Sequence, residues 1–490
     1  MAQPLKRPAI SVVPFRPTLI EVSERWRLRE LASRLLADEP GLDGGRRFGP
    51  LVDRGLSDAP RVLLGDQSEI ALMGSPEETL YGYRIALLAG EGDLLALAVE
   101  RCPAYERYLR TVLGIDALDV FDLSGEGGPL AARCMASRPA FEHIARIARA
   151  GGGVCLVPLM ASGHVWKLAK AVADETGTPV SVCGPSPRLS RRVNDKLWFT
   201  SRVREVLGGG AIPPTYAAYG PAALCARVKL LAERYERVVI KVPDSAGSAG
   251  NLPLEAHHLR GRPLSEIRAR LHSLFDDLGW QGAYPLMVEV WEEAILSTPS
   301  VQLWVPEPEH GLPIVEGIFE QLVEGEEGKF VGAARARLPR PWPDRLAQEA
   351  TRLAALFQLV GYFGRCSFDA IIAGTDYADA EAHWIECNGR WGGVSLPMTF
   401  INRIADDPLL VEPVIVQREE TGMPARNFGD AVELLRPWHY QPRRSREGVI
   451  LLTPTGIERG RGIHFLALAP TLDRARGLAD GAAAALTQAG

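Results

Sequence analysis

Two short runs of this chain carry side chains that could do chemistry together: Asp369, and Glu386-x-Asn388-x-Arg390. Ser367 to Ala373 is apolar and β-prone, residues 374–379 (Gly-Thr-Asp-Tyr-Ala-Asp) are a turn cluster, and His383 to Cys387 is apolar again. That pattern predicts a hairpin. Side chains alternate along a strand, so Glu386 and Asn388 share one face about 7 Å apart. Folding about residue 378 brings Asp369 opposite them. Two carboxylates and an amide oxygen then converge, a donor set that suits a hard cation such as Mg²⁺ shared with phosphate oxygens. Arg390 falls on the same side if the strand continues. Taken alone, the stretch is equally readable as a surface hairpin with solvated charges.

Lysine is scarce. Only Lys6, Lys167, Lys170, Lys196, Lys229, Lys241 and Lys329 occur among the 55 basic residues, so a lysine at a motif position is informative. Lys241 ends an apolar strand, and Pro243 to Asn251 after it is a loop of small and turn-forming residues. Small residues let backbone N–H groups approach phosphate oxygens, and the lysine adds a point charge. The loop is not GxxxxGK[ST], and the run 325–330 fails that pattern too, with glutamates that would repel phosphate. By itself the loop is also readable as an ordinary hairpin connection. Asn194-Asp195-Lys196 opens a helix, with Asp195 near its N-terminus. Met160-Ala-Ser-Gly lies at a strand-to-helix turn of the kind that binds anions, though a plain turn explains it better, and His164 reads as a surface or capping residue.

The elements that must position these residues follow from periodicity. Residues 21–36 are helical. Arg61 to Leu72 reads as a strand, Asp93 to Leu113 as mostly helix broken at Pro103, and 139–149 as helix. Val154–Pro158, the helix His164–Thr176 and the strand from Pro179 form a strand–helix–strand unit typical of parallel α/β layers. Further strands are expected at 238–242, 286–291, 300–305 and 313–319, and helices at 221–234, 264–278 and 343–360. Residues 403–440 read as helix and loop with several prolines, and the tail from 448 as strand, strand, helix.

At 490 residues the chain suggests about three domains by the usual size rule. Acids exceed bases by 60 to 55, which argues against nucleic acid as a partner. Seven scattered cysteines without a CxxC argue against structural zinc or a disulfide framework and for a reducing, cytoplasmic setting. The N-terminus is a poor signal peptide and no apolar run reaches spanning length, so no membrane partner is expected.

Taken in order, Lys196, Lys241 with its small-residue loop, Glu289 on an apolar strand, Asp369 and Glu386-x-Asn388-x-Arg390 resemble the ATP-grasp superfamily over about residues 185–400. The resemblance implies an α/β fold: a Rossmann-like pre-ATP-grasp domain (with the N-terminal region, 1–190), a two-subdomain ATP-grasp fold (191–285 and 286–440) and a small β-β-α tail (441–490). It implies that Lys196 and Lys241 contact ATP phosphates. The loop with Ser245, Gly247, Ser248 and Gly250 would cover the triphosphate, with Asp244, Ser245 and Ala246 where many members have glycines. The segment Glu289-Val-Trp291-Glu292 would bind adenine through its backbone, with Glu292 and Glu293 as candidates for the ribose. Asp369, Glu386 and Asn388 would bind Mg²⁺, or Mn²⁺ in its place, Arg390 would stabilise a tetrahedral intermediate, and Arg365 would assist it, bind a substrate carboxylate, or be only a strand-end charge. Layout further resembles the pheganomycin-type peptide ligases. The implied activity is ADP-forming ligation of a carboxylic acid to an amino acid or peptide amine, and relatives of the fold suggest a homodimer. A nucleotide-binding regulator without catalysis, or an ATP-grasp enzyme with a non-amine acceptor, are the alternatives.

Overall fold

A computed structural model of the chain describes residues 10–70, 78–115, 118–125, 127–245, 250–277, 283–325, 328–419, 423–441, 445–460 and 462–487. Among these residues the strands form three sheets. The first holds β1 (Val52–Arg54), β2 (Arg61–Gly65), β3 (Leu94–Leu97), β4 (Asp119–Asp122), β5 (Val154–Pro158) and β6 (Val180–Val182) in the order β1-β6-β5-β2-β3-β4. Its pairings are all parallel. The chain runs outward from β2 to β4 and then returns to the other side of β2 at β5. The switch between β2 and β5 opens a crevice at the carboxyl ends of the strands, the usual ligand position in such sheets.

The region expected to be helical from Asp93 divides. Leu94–Leu97 is fully buried strand, and Pro103 begins the helix Pro103–Thr111 instead of breaking one. A short apolar run reads alike in a buried helix and in a parallel strand covered on both faces, and proline suits a first helical turn. The strand expected to reach Leu72 stops at Gly65. There the backbone meets Gly82 so closely that a Cβ on Gly65 would lie 2.4 Å from the Gly82 carbonyl oxygen.

The second sheet, β7 (Thr215–Ala218), β10 (Leu286–Val290), β8 (Arg237–Lys241) and β9 (Asn251–Glu255), is antiparallel. β10 belongs here, past the expected boundary at residue 285. The third sheet has nine strands: β11 (Ile295–Ser297), β12 (Pro299–Val305), β13 (Ile314–Glu324), β14 (Lys329–Arg335), β15 (Gly364–Ala373), β16 (Glu381–Asn388), β17 (Glu412–Glu419), β18 (Gly448–Leu451) and β19 (Gly462–Ala469).

β17 corrects the helix-and-loop expectation for 403–440. Pro413 lies one residue before pairing with β14 begins at Val414, so its missing N–H costs that ladder nothing. β19 pairs along all of β17, so the tail extends the nine-stranded sheet past the expected boundary at residue 440. The N-terminal helix Val22–Asp38 also leaves its expected domain. Its Leu28 and Leu31 pack in one core with Leu346, Ala350 and Leu353 of the helix Trp342–Leu359. All seven cysteines are buried and unpaired. No helix among the described residues is long and apolar enough to cross a membrane.

Candidate functional site

The site is built on strand register. β12, β15 and β16 lie side by side, so Ser300, Asp369 and Glu386 form one cross-strand row and Gln302, Ser367 and Asn388 the next. These polar side chains share a sheet face, and all six line one cleft. The expected hairpin is present, with Asp369 directly opposite Glu386. A bulge follows at Asp369/Ala370. It shifts the alternation, so that His383 shares the site face while Trp384 is buried in the core beneath. Ser300 and Gln302 were missed from sequence, although polar residues at alternate positions of a fully buried strand were a readable signal.

The charges at this face are tightly set. The Ser300 hydroxyl donates to Asp369 (2.5 Å), and the Asn388 amide to Asp369 (3.0 Å) and Glu386 (3.4 Å). Lys196 is 2.9 Å from Glu386. Burial, and then the neighbouring Glu386 charge, push the Asp369 carboxyl up to about 8. Burial also acts to raise Glu386, but Lys196 and Arg390 outweigh it and hold that group down to about 2. Two buried carboxylates in one row cannot both ionise cheaply without a cation between them. With the amide and hydroxyl oxygens beside them, they fit a hard oxygen-liganded ion. Among the described residues no cluster of three or more histidine, cysteine or acidic side chains offers an alternative metal site.

Lys196 stands at the first turn of the helix Lys196–Leu207, whose N-terminus is capped by Asp195 accepting from the Leu197 and Trp198 N–H groups. Its backbone N–H donates to the Pro243 carbonyl (2.8 Å) and its ammonium to the Ser245 carbonyl. The helix start is thereby tied to the small-residue loop. Gly250 closes that loop, since a Cβ there would lie 2.3 Å from the Ser245 hydroxyl. Gly247 and Ser248 lie outside the described residues. Lys241 pairs across the sheet with Met287, which puts Glu289 diagonally next to it on the same face. The two are ion-paired and buried, and Thr215 donates to the other Glu289 oxygen (3.1 Å). The Glu289 carboxylate therefore holds Lys241. The Trp291 N–H, expected to face a ligand, donates to the Arg237 carbonyl (3.2 Å), and the Arg237 guanidinium lies over its ring. Glu292 is 2.7 Å from His383 at the cavity wall, whereas Glu293 is exposed and does not line it.

Two chambers meet at Asp369 and Glu386. The first, about 370 Å³, is lined by Lys196, Lys241, Glu289, Trp291 and Glu292, with apolar Val239, Val290, Ile371 and Ile385. The second, about 340 Å³, holds the polar rows with Arg390, Arg84, Gln417 and Lys329. Arg390 donates to Asn388 (2.6 Å) and to Asn194, whose oxygen also accepts the Gly389 N–H (3.1 Å). Asn194, read from sequence only as part of a helix start, aims this arginine. Arg365 does not reach either chamber. Its guanidinium is buried between Trp304 (5.4 Å) and Trp391 (5.0 Å), is ion-paired to Glu316 and donates to Thr399 (3.1 Å). It supports the floor under Arg390. The Met160 turn is a plain helix cap, with Ser162 accepting from Val165 N–H, and His164 forms a surface pair with Glu69 (2.8 Å).

A parallel-sheet domain followed by two antiparallel sheets that clamp a lysine- and carboxylate-lined cleft is the ATP-grasp fold. Residues 82–173 match the family model described as the pre ATP-grasp domain. The chain is similar to solved structures of biotin carboxylase from Campylobacter jejuni in an ATP-analogue complex (14% identity, TM-score 0.53, covering 88% of this chain and 92% of that one) and of N5-carboxyaminoimidazole ribonucleotide synthetase in an ADP complex (13%, 0.51, 87% and 97%). It is also similar to the biotin carboxylase domain dimer of a 2-oxoglutarate carboxylase from Hydrogenobacter thermophilus, bound to MgADP, ADP and bicarbonate (12%, 0.50, 86% and 89%). At these identities the likeness is one of fold. No curated protein sequence matches the chain.

Proposed function

We propose that the chain is an ATP-dependent, ADP-forming ligase that activates a carboxylate as an acyl phosphate and joins it to an amine. The observation that carries this reading is the meeting of the two chambers at Asp369 and Glu386, with Lys196 and Lys241 on one side and Arg390 on the other. ATP occupies the first chamber, its base among the apolar residues near Trp291 and its phosphates at the lysines. Asp369, Glu386 and Asn388 would hold Mg²⁺, which would supply charge neutralisation for a transferring phosphoryl group. A carboxylate is a poor acyl donor because oxide is its leaving group, and phosphorylation supplies a better one. Arg390 stands where an oxyanion forms when the amine attacks, a contribution of about 3–4 kcal/mol in comparable sites. The choice of amino acids or peptides as the acceptor class rests on the order of segments in the sequence, which resembles that of the pheganomycin-type peptide ligases.

The test is ADP release from Mg²⁺-ATP against amino acids and simple carboxylic acids offered singly and in pairs. ADP that appears only with a compatible pair, together with a mass equal to their condensation product, supports ligation. ADP formed with one acid and no amine points to another acceptor. Glu386→Gln should lower turnover by about a thousandfold, since several kcal/mol of charge stabilisation go with the metal, while circular dichroism stays unchanged. A variant as active as the parent would remove the metal assignment.

A further inference from the structure

The second chamber contains a cation that the ligase reading leaves unused. Arg84 lies in the segment Glu78–Leu88 of the parallel-sheet domain, beside the β2/β5 switch point that also contributes Gln67 to the chamber. Its side chain is 1% exposed. One terminal nitrogen donates to Gln417 (3.2 Å) and the other to His464 Nδ1 (2.9 Å), and Tyr81 stacks on the guanidinium at 5.2 Å. All of these partners are neutral. Burial and the Arg84 charge hold His464 well below its usual range, which leaves the ring uncharged and Nδ1 free to accept. Among the described residues no carboxylate forms an ion pair with Arg84, and its Nε is buried without a partner. Glu419, the chamber's other acid away from the metal row, is paired with Lys329 at 2.7 Å.

The contrast with Arg365 is instructive. Both guanidinia are buried, but among the described residues Arg365 has Glu316 and lines neither chamber, whereas Arg84 has no anionic partner and lines the second. A buried charge left uncompensated is a large cost unless something else supplies the counter-charge. A planar, forked cation with donors to spare fits a planar carboxylate, which it can grip through two parallel hydrogen bonds.

Building on the ligase reading, we propose that Arg84, steadied by Tyr81, Gln417 and His464, binds a substrate carboxylate other than the one that is activated beside Arg390. One of the two substrates is then an α-amino acid, a peptide with a free C-terminus or a dicarboxylic acid. The residue that selects it comes from the domain preceding the nucleotide-binding sheets. That explains physically why the parallel-sheet domain must pack against β17 and β19: Gln417 and His464, the neutral neighbours of Arg84, stand on those strands.

The test reads binding directly. The whole chain is heated with each of the common α-amino acids, with dicarboxylates of two to six carbons, with the matching amides, and with inorganic phosphate. At least one carboxylate should raise the melting temperature of the parent by about 2 °C or more through ligand linkage, while its amide and phosphate do not. Arg84→Gln should lose that response while keeping the response to Mg²⁺-ATP. Arg84→Met should leave the ligand-free protein at least as stable as the parent, since it removes an unpaired buried charge; a structural arginine would show the reverse. Arg84→Lys should keep a weakened carboxylate response and serves if the other variants do not fold. An unchanged response in Arg84→Gln, an equal response to the amide or to phosphate, or no response to any carboxylate in the parent overturns the proposal. Failure of the parent to respond to Mg²⁺-ATP would instead count against the ligase reading.

Discussion

The two chambers differ in how their charges are settled. On the lysine side each cation at the cavity wall has a partner in the chain: Lys196 with Glu386, Lys241 with Glu289, and Arg237 with Glu255. On the other side Arg84 is buried among neutral groups, and Arg390 is held by the amides of Asn194 and Asn388. The first chamber is prepaid by internal ion pairs that a ligand must share or displace. In the second, the guanidinium groups are held by neutral partners instead of carboxylates. Under the proposed ligase reading, the difference suits a pocket for a constant polyanion against a pocket that recognises an acid and holds its transition state. Preorganised donors are effective there because they need not reorganise when charge develops.

The sharpest way to break this comparison is to unsettle the paired side. Lys241→Met leaves Glu289 buried without its cation and should cost about 3–5 kcal/mol of stability in denaturant unfolding. Lys241→Met with Glu289→Leu should recover most of that loss, because the penalty lies in the orphaned charge more than in the missing pair. A small effect of the single change would mean that the pair is already loose and the chambers are alike. Next, Asn194→Ala should lower turnover by about tenfold or more through misorientation of Arg390, with the KM for ATP little changed. A rise in that KM with turnover intact would place Asn194 on the nucleotide side.

The smallest expected effect is a pH dependence at His383, behind the Glu292 that lines the first chamber. Burial acts to lower His383, but the hydrogen bond and charge of Glu292 outweigh it and leave the imidazole raised. A raised base contributes stability that is fully present below its unfolded value of about 6.5 and is lost as pH rises through the higher folded value. Melting temperatures of the parent and of His383→Gln should therefore diverge at pH 5.5 and converge as the solution becomes alkaline. Curves that stay parallel across that range would show that His383 and Glu292 are not coupled.

Much of the polar row was legible in the chain because it depends on local geometry. A hairpin with a short turn fixes which residues face one another, so Asp369, Glu386 and Asn388 could be brought together from spacing alone. The lysine before a small-residue loop and the helix start at Asp195 were readable for the same reason: caps and turns are set within a few residues. The strand at Leu94 and the strand at Glu412 were not, since apolar runs and scattered prolines do not say which sheet, if any, will take them. Arg365 shows the limit at a single residue. It shares a strand face with Asp369, yet Trp304, Trp391 and Glu316, distant in sequence, close over it. The sequence by itself thus determined the order of the lysines, the loop and the polar row of Asp369, Glu386 and Asn388. Only the tertiary structure decided that Ser300 and Gln302 stand beside those residues, that Asn194 aims Arg390, and that Arg84, far away in the chain, lines the same chamber. These are contacts between residues far apart in the chain. They depend on the packing of whole sheets, and no local periodicity encodes them.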